Sequence, residues 1–214
     1  MKNLIIIGAG GMGRTIYDIA RESKGYSVEF QIKGFINDDT EALDSFQGYP
    51  PIISTIREYY PKQDDVFICS IGDVSGKKKC CELILNRGGE FISLIHKTAR
   101  IGSNAQIGKG TVIAAYTSIG ADAVIGNFVL VQAYSVVAHD VLVGDWARID
   151  THVVCVGGTR VGEEATVYTN SVLNHKVVVE RKAIVAACSF VIKKVKEGNT
   201  VYGNPAKVLM VNTK

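Results

Sequence analysis

IGADAVIGNFVLVQAYSVVAHDVLVGDWAR, residues 119–148, divides into the sixes IGADAV, IGNFVL, VQAYSV, VAHDVL and VGDWAR. Each opens on Ile or Val and carries Ala, Ser or Val in its fifth place. The register runs outward from Ile95 to Lys196 without insertion, and only Cys155 departs from Ile, Val or Leu in the first place. The fifth place is always Ala, Ser, Thr or Val, and the second is often Gly or Ala. A period of six matches neither the 3.6 of a helix nor the two of a plain strand. It suits short strands joined by tight turns, each hexad forming one flat side of a coil. First-place aliphatics then stack inward on their copies, and the small fifth place faces in where the corner leaves little room. Second-place glycines are expected to accommodate unusual turn angles.

Residues 1–94 follow another grammar. NLIIIGAGGMGRTIYDIAR reads as a buried strand, a glycine turn and a helix bearing Ile16, Ile19 and Ala20. EFQIKGFIND and DVFICSIGD read as further strands. SGKKKCCELILNRG reads as a helix with Ser75 at its N-cap and Gly88 beyond its end. GEFISLIH leads into the first hexad. Alternating strands and helices imply a small parallel α/β domain over 1–94, followed by the hexad domain and a tail over 95–214. The tail EGNTVYGNPAKVLM leaves the six-residue register and is expected to pack on the last coils.

Composition narrows the function. The 214 residues are 47% hydrophobic and 21% charged with net charge +3, an ordinary globular balance. That charge is too small to argue for nucleic acid or an anionic membrane surface. MKNLIIIGAG reaches glycine after four apolar residues, too few for a membrane span, so a cytoplasmic protein is expected. Five cysteines at 69, 80, 81, 155 and 188 fit no zinc spacing and read as reduced thiols.

Gly8-Ala9-Gly10-Gly11-Met12-Gly13 matches G-x-G-x-x-G directly after a strand and before a helix, where backbone amides favour phosphate. About 90 residues are too few for a full dinucleotide fold, leaving room for a mononucleotide diphosphate. A glycine turn serving only strand–helix packing is the alternative. Among four histidines, His139 is third in VAHDVL, a corner place from which a side chain projects outward, and Asp140 follows it. Taken by themselves, these residues fit either a catalytic base or a hydrogen-bonded surface histidine. His175 holds the same hexad place 36 residues on, two coils and roughly 9.5 Å along the stack if the coils are spaced like strands. It reads as cleft lining, while His96 and His152 read as structural.

The hexads resemble those of the hexapeptide-repeat acyltransferases, a family of left-handed parallel β-helices with three hexads per coil. Eighteen residues per coil imply about five and a half coils here. With the glycine-loop domain in front, GAGGMG, GFIND, SIGD, LIHKTARIG, VVAHDVLVGDWA and VYGNPAK together resemble the nucleotide-sugar acetyltransferases of the PglD/NeuD-like group. That group includes amino-sugar N-acetyltransferases and sialic-acid O-acetyltransferases. The resemblance implies acetyl-CoA as cosubstrate, a homotrimer with intersubunit sites, no metal, and no nucleic-acid or membrane partner. It implies His139 as general base with Asp140 orienting it, and acetyl-CoA contacts from Arg148, Gly157, Thr169 and Ala187. Gly157 would offer an amide to the thioester oxygen, and Lys193 and Lys194 would meet CoA phosphates. Gly10, Gly11 and Met12 would face the diphosphate or sugar, Asn37 and Asp38 the base or ribose, with Gly72 and Asp73 nearby. Relatives often carry His at the Met12 place, an acidic pair at Asn37-Asp38, and His at the Arg148 place. The expected activity is N-acetylation of a nucleotide-linked 4-amino-4,6-dideoxy sugar, with sugar O-acetylation as the alternative. More distant are a non-catalytic scaffold and the γ-class carbonic anhydrases, whose zinc-ligand spacing His139, His175 and Glu180 resemble.

Overall fold

A computed structural model describes residues 1–210. The chain divides into two compact units, Met1–Lys97 and a second beginning at Thr98.

The first unit is a parallel sheet with helices. β1 (Lys2–Ile7) lies at its centre between β2 (Phe30–Ile36) and β4 (Asp65–Cys69), with β3 (Ile52–Ser54) and β5 (Glu90–Phe91) at the edges. The apolar run Leu4–Ile7 is fully buried, as a strand covered on both faces requires. Helices α1 (Gly11–Arg21) and α2 (Val74–Asn86) follow β1 and β4. α2 starts earlier than the sequence suggests. Asp73, not Ser75, is its N-cap, because the Asp73 carboxylate accepts the Gly76 amide at 2.7 Å. At its other end Gly88 adopts φ +82°, and the Gly89 amide donates to the Ile84 carbonyl. The short β3 was not anticipated; it follows Pro50 and Pro51 and presents no alternation.

The glycine loop is built by sterics. A Cβ on Gly13 would lie 2.3 Å from the Gly8 carbonyl oxygen, so α1 can sit this close to β1 only without one. Gly8 itself takes φ +97°. Gly13→Ala therefore forces α1 off its seat and is expected to cost about 1–3 kcal/mol of unfolding free energy. Gly11→Ala, whose Cβ would meet nothing closer than the Arg14 guanidinium at 3.9 Å, is the control. It should leave stability unchanged or raise it by up to about 1 kcal/mol. Urea unfolding of both variants checks the contrast.

A buried polar cluster braces β2 and β4. The Lys33 ammonium donates to Asp65 at 2.8 Å and to the Tyr59 hydroxyl at 3.1 Å, and Tyr59 donates to Asp65 at 2.6 Å. Burial pushes the Asp65 carboxyl up, but hydrogen bonds from Lys33, Tyr59 and the Lys62 amide outweigh it and hold the group below the usual carboxylate range. Since the folded value lies below the unfolded one, the stabilisation is complete at neutral pH and fades as pH falls through the folded value. Asp65→Asn should thus cost about 2 kcal/mol at neutral pH. The difference from wild type should shrink at acid pH, once the medium falls below the ordinary carboxylate range. Urea titrations at the two pH values test this.

The second unit is a parallel β-helix. Each two-residue strand pairs with the one eighteen residues on, Val124 opposite Leu142 and Leu142 opposite Arg160. Three faces result. Face 1 holds Ser118–Ile119, Val136–Val137, Val154–Cys155 and Val172–Leu173. Face 2 holds Val124–Ile125, Leu142–Val143, Arg160–Val161 and Val178–Val179. Face 3 holds Leu130–Val131, Arg148–Ile149, Thr166–Val167 and Ile184–Val185. First-place residues such as Ile113, Val137, Ile149, Val167 and Val185 are fully buried, and so are fifth-place Ala123, Val141, Ser135 and Ala165. Cys155 is buried with them, and burial pushes its thiol up to about 12.

Two expectations are corrected. The left-handed backbone falls on the fourth place, as at Asp122, Asp140, Trp146 and Lys176 with φ of 57–63°, and not on second-place glycines. Fourth-place amides donate to the preceding coil, Asp140 to the Ala121 carbonyl at 3.1 Å and Lys176 to that of Gly157 at 3.2 Å. These bonds, with ring stacking such as Phe128 on Trp146 at 4.1 Å, offset the strain of a left-handed non-glycine residue. Second-place glycines serve close approach instead: a Cβ on Gly120 would lie 2.4 Å from the His139 nitrogen one coil on. Nor does the strict register hold to Lys196. Val195 pairs with Val179 and Thr200 with Ile184, so the last coil is two residues shorter than those before it. Tail residues Thr200–Tyr202 and Lys207–Met210 extend face 3.

Candidate active site

His139 sits in the turn between Val136–Val137 and Leu142–Val143, on the edge joining faces 1 and 2. Its side chain and that of Asp140 are each 65% exposed, and Nδ1 lies 2.7 Å from Asp140 Oδ2. With the proton on Nδ1, that bond leaves Nε2 as a free lone pair. The imidazole leans along the edge onto the next coil. A Cβ on Gly157 would lie 2.6 Å from Nε2 and 2.7 Å from Cε1, so the ring occupies the space a side chain there would take. The His139 carbonyl also accepts the Gly158 amide at 3.0 Å, fixing the backbone beneath. Imidazole, carboxylate and glycine thus form one unit suited to moving a proton at Nε2.

The other predicted contacts lie elsewhere on the solenoid. Arg148 begins a strand of face 3, where its guanidinium grips the Asp150 carboxylate through Nε at 2.6 Å and Nη2 at 3.1 Å. Gln132 donates to the same carboxylate at 2.6 Å, and Tyr168 lies under the guanidinium. Thr169 and Ala187 occupy the edge joining faces 3 and 1. A single chain therefore does not gather the whole predicted acetyl-CoA set. His175 lies on the His139 edge, two coils on. Lys194 pairs with Glu180 at 2.6 Å. That pair takes up Glu180, third member of the carbonic-anhydrase-like set, and no group of three or more His, Cys, Asp or Glu among the described residues could hold a metal ion. His152 tilts against Tyr134, and His96 lies 3.3 Å from Glu22.

In the first unit the predicted substrate residues gather at the carboxyl ends of β1, β2 and β4, where open parallel sheets bind ligands. Several are already engaged. The Asn37 side-chain Oδ1 accepts the Ala9 amide at 3.1 Å, Asp38 accepts the Ile56 amide at 3.0 Å, and Asp73 caps α2. Gly72 lies between β4 and α2, and Met12 in the first turn of α1 is half-buried. Gly10 and Gly11 face open space: a Cβ on Gly10 would have no neighbour within 4 Å. Sequence reasoning missed Arg14, one turn into α1, whose guanidinium lies 3.6 Å over the Phe46 ring beside this opening. It also missed Lys176, in the Asp140 column of the same edge, and Arg160, on face 2 beside Leu142. The eighteen-residue column spacing was the signal that could have found them.

Comparisons with known proteins agree with this architecture. The family model described as the PglD N-terminal domain matches residues 3–84, and that of the GMPPB C-terminal domain matches residues 92–201. UDP-N-acetylbacillosamine N-acetyltransferase of Bacillus subtilis is 30% identical over 119 residues, 54% of this chain. The match spans about half of that relative's length, 52%. The acetyltransferase domain of PglB from Neisseria gonorrhoeae, in complex with acetyl coenzyme A, superposes with TM-score 0.88 at 28% identity, covering 97% of this chain and 99% of that one. PerB of Caulobacter crescentus, in complex with CoA and GDP-perosamine, shares the fold with TM-score 0.84 at 23% identity, over 97% of both chains.

Proposed function

Because the chain belongs to the PglD-like hexapeptide-repeat acetyltransferases, we propose that it moves an acetyl group from acetyl-CoA to the amine of a nucleotide-linked 4-amino-4,6-dideoxy sugar. The observation that carries the reading is the His139 unit: Nδ1 held 2.7 Å from Asp140, and Nε2 over Gly157. The amine nitrogen attacks the thioester carbon while His139 Nε2 takes its proton. The carbon–sulfur bond breaks, the departing thiolate receives that proton, and the products are the amide and free CoA. Asp140 fixes the tautomer and stabilises the transient imidazolium. A Gly157 amide donor suits the developing oxyanion.

The first unit holds the nucleotide, with the open amides around Gly10 and Gly11 at the start of α1 toward the diphosphate or sugar. Met12, Asn37, Asp38, Gly72 and Asp73 form the rest of that pocket, the last four chiefly as its braced walls. Separation of His139 and Gly157 from Thr169 and Ala187 onto two edges favours a homotrimer, in which one chain's edge meets another's and Arg148 of face 3 comes to the cofactor. Among the described residues no helix is long and apolar enough to cross a membrane. A cytoplasmic setting, where acetyl-CoA is available, suits this chemistry.

The test mixes the protein with acetyl-CoA and a panel of UDP-, dTDP- and GDP-linked 4-amino-4,6-dideoxy sugars, following free thiol. Release with one member names the substrate. Silence with every amino sugar overturns the N-acetyl reading, and release with a sialic acid instead establishes the O-acetyl one.

A further inference from the structure

Beside the His139–Asp140 pair, the edge between faces 1 and 2 opens into a shallow hollow of about 490 Å³. Its two ends differ in charge. Asp122 and Asp140, one coil apart in the fourth place, line one end, and Lys176 and Arg160 line the other, with Leu142 and Val178 as apolar floor. Arg160 rises from face 2 between Leu142 and Val178, its strand neighbours on either side. Lys176 lies over Gly158, where a Cβ would meet its Cγ at 3.1 Å. The glycine pair 157–158 thus lets two side chains converge, His139 onto Gly157 from the coil before and Lys176 onto Gly158 from the coil after.

Both cations are exposed, and neither forms an ion pair among the described residues. Elsewhere on the solenoid Arg148, Arg181, Lys182 and Lys194 each have a carboxylate partner. Two cations without a carboxylate partner, sharing a hollow with Asp140 of the reacting pair, describe an anion subsite. A guanidinium fork beside a mobile ammonium matches the several oxygens of a phosphate ester.

We propose that Arg160 and Lys176 bind a phosphate group of one of the two substrates, either the CoA diphosphate or the diphosphate of the nucleotide sugar. The pair thereby holds that substrate along the edge with its reacting end toward His139. Only the choice between these two sources rests on the acetyl-transfer reading; the phosphate subsite itself does not.

Calorimetric titration tests it without turnover, using coenzyme A, UDP, GDP and inorganic pyrophosphate as probes. The proteins are wild type, Arg160→Gln/Lys176→Gln, Lys176→Glu, and Lys182→Gln as a control on another edge. The double variant should weaken at least one probe by about tenfold or more, and the charge reversal should weaken the same probe further. The control should stay within about twofold of wild type. Loss confined to coenzyme A assigns the site to the acetyl donor, and loss confined to a nucleoside diphosphate assigns it to the acceptor. A wild type that binds none of the probes, or a double variant within about twofold for all of them, overturns the proposal. Phosphate binding lost in the variants of a protein that transfers no acetyl group sinks the proposed function and leaves this subsite standing.

Discussion

His139→Ala is expected to lower kcat by about 10²–10⁴ while leaving the fold intact. The stability half follows from exposure: the side chain is 65% exposed, and its loss opens no cavity in the solenoid core. The rate half follows from the role proposed for Nε2, accepting the proton as the nucleophile attacks. The size of the loss also discriminates between acceptors. An amine with an appreciable neutral fraction attacks a thioester with modest help, so an N-acetyltransferase should fall at the lower end. A hydroxyl must shed its proton as it attacks, so an O-acetyltransferase should fall at the upper end. Thiol release measured at saturating acetyl-CoA, with thermal unfolding alongside, checks both halves. A variant within about fivefold of wild type in kcat would remove His139 from the chemistry.

Much of the architecture was legible because the solenoid repeats one physical problem. A coil side buries one aliphatic and one small residue, so Ile, Val and Leu recur every six places, and the parallel pairing of Val136 with Val154 follows from that period. What the period conceals is the purpose of each place. Gly120 and Gly144 read as conformational glycines, yet they are required because the next coil's backbone passes where a Cβ would be. Only the stacked coils reveal that distance. The shortened last coil was hidden for a related reason: VIKKVK keeps the residue types of a hexad while its pairing has moved, Val195 lying opposite Val179. In the first unit the Asp73 cap was obscured by Ser75, an equally good capping residue two places on.

The candidate site was legible in part. VAHDVL placed His139 and Asp140 side by side on a corner, and resemblance supplied the role. Sequence alone could not show that the imidazole leans along the stack, since rotamers are set by neighbours eighteen residues away. The same blindness hid Lys176. It stands in the same column as Asp140, but LNHKVV taken by itself presents an ordinary solvated lysine. Arg148 shows the opposite case, a residue expected at the cofactor whose guanidinium is held by Asp150 on another face. In the proposed homotrimer it would meet His139 only from a second chain, and hexad spacing carries no information about which surfaces two chains share.

Gly157→Ala should lower kcat by about 10² with little change in stability. Gly157 is not among the residues with positive φ, so its backbone accepts alanine without strain. The atoms nearest the added methyl carbon belong to the His139 ring, 2.6 Å from Nε2 and 2.7 Å from Cε1, and at those distances one group must move. The exposed imidazole yields before the buried coil does, and swinging it away displaces Nε2 by about an ångström or more, the scale at which a positioned base loses most of its advantage. A loss of this origin appears in kcat rather than in the KM for either substrate. It also disappears once the imidazole is gone: the double variant Gly157→Ala/His139→Ala should be no slower than His139→Ala alone, a non-additivity that residues acting as a unit display. If Gly157→Ala costs the same factor in both backgrounds, the glycine serves the thioester or the coil directly, and the ring's position over it has no part in catalysis.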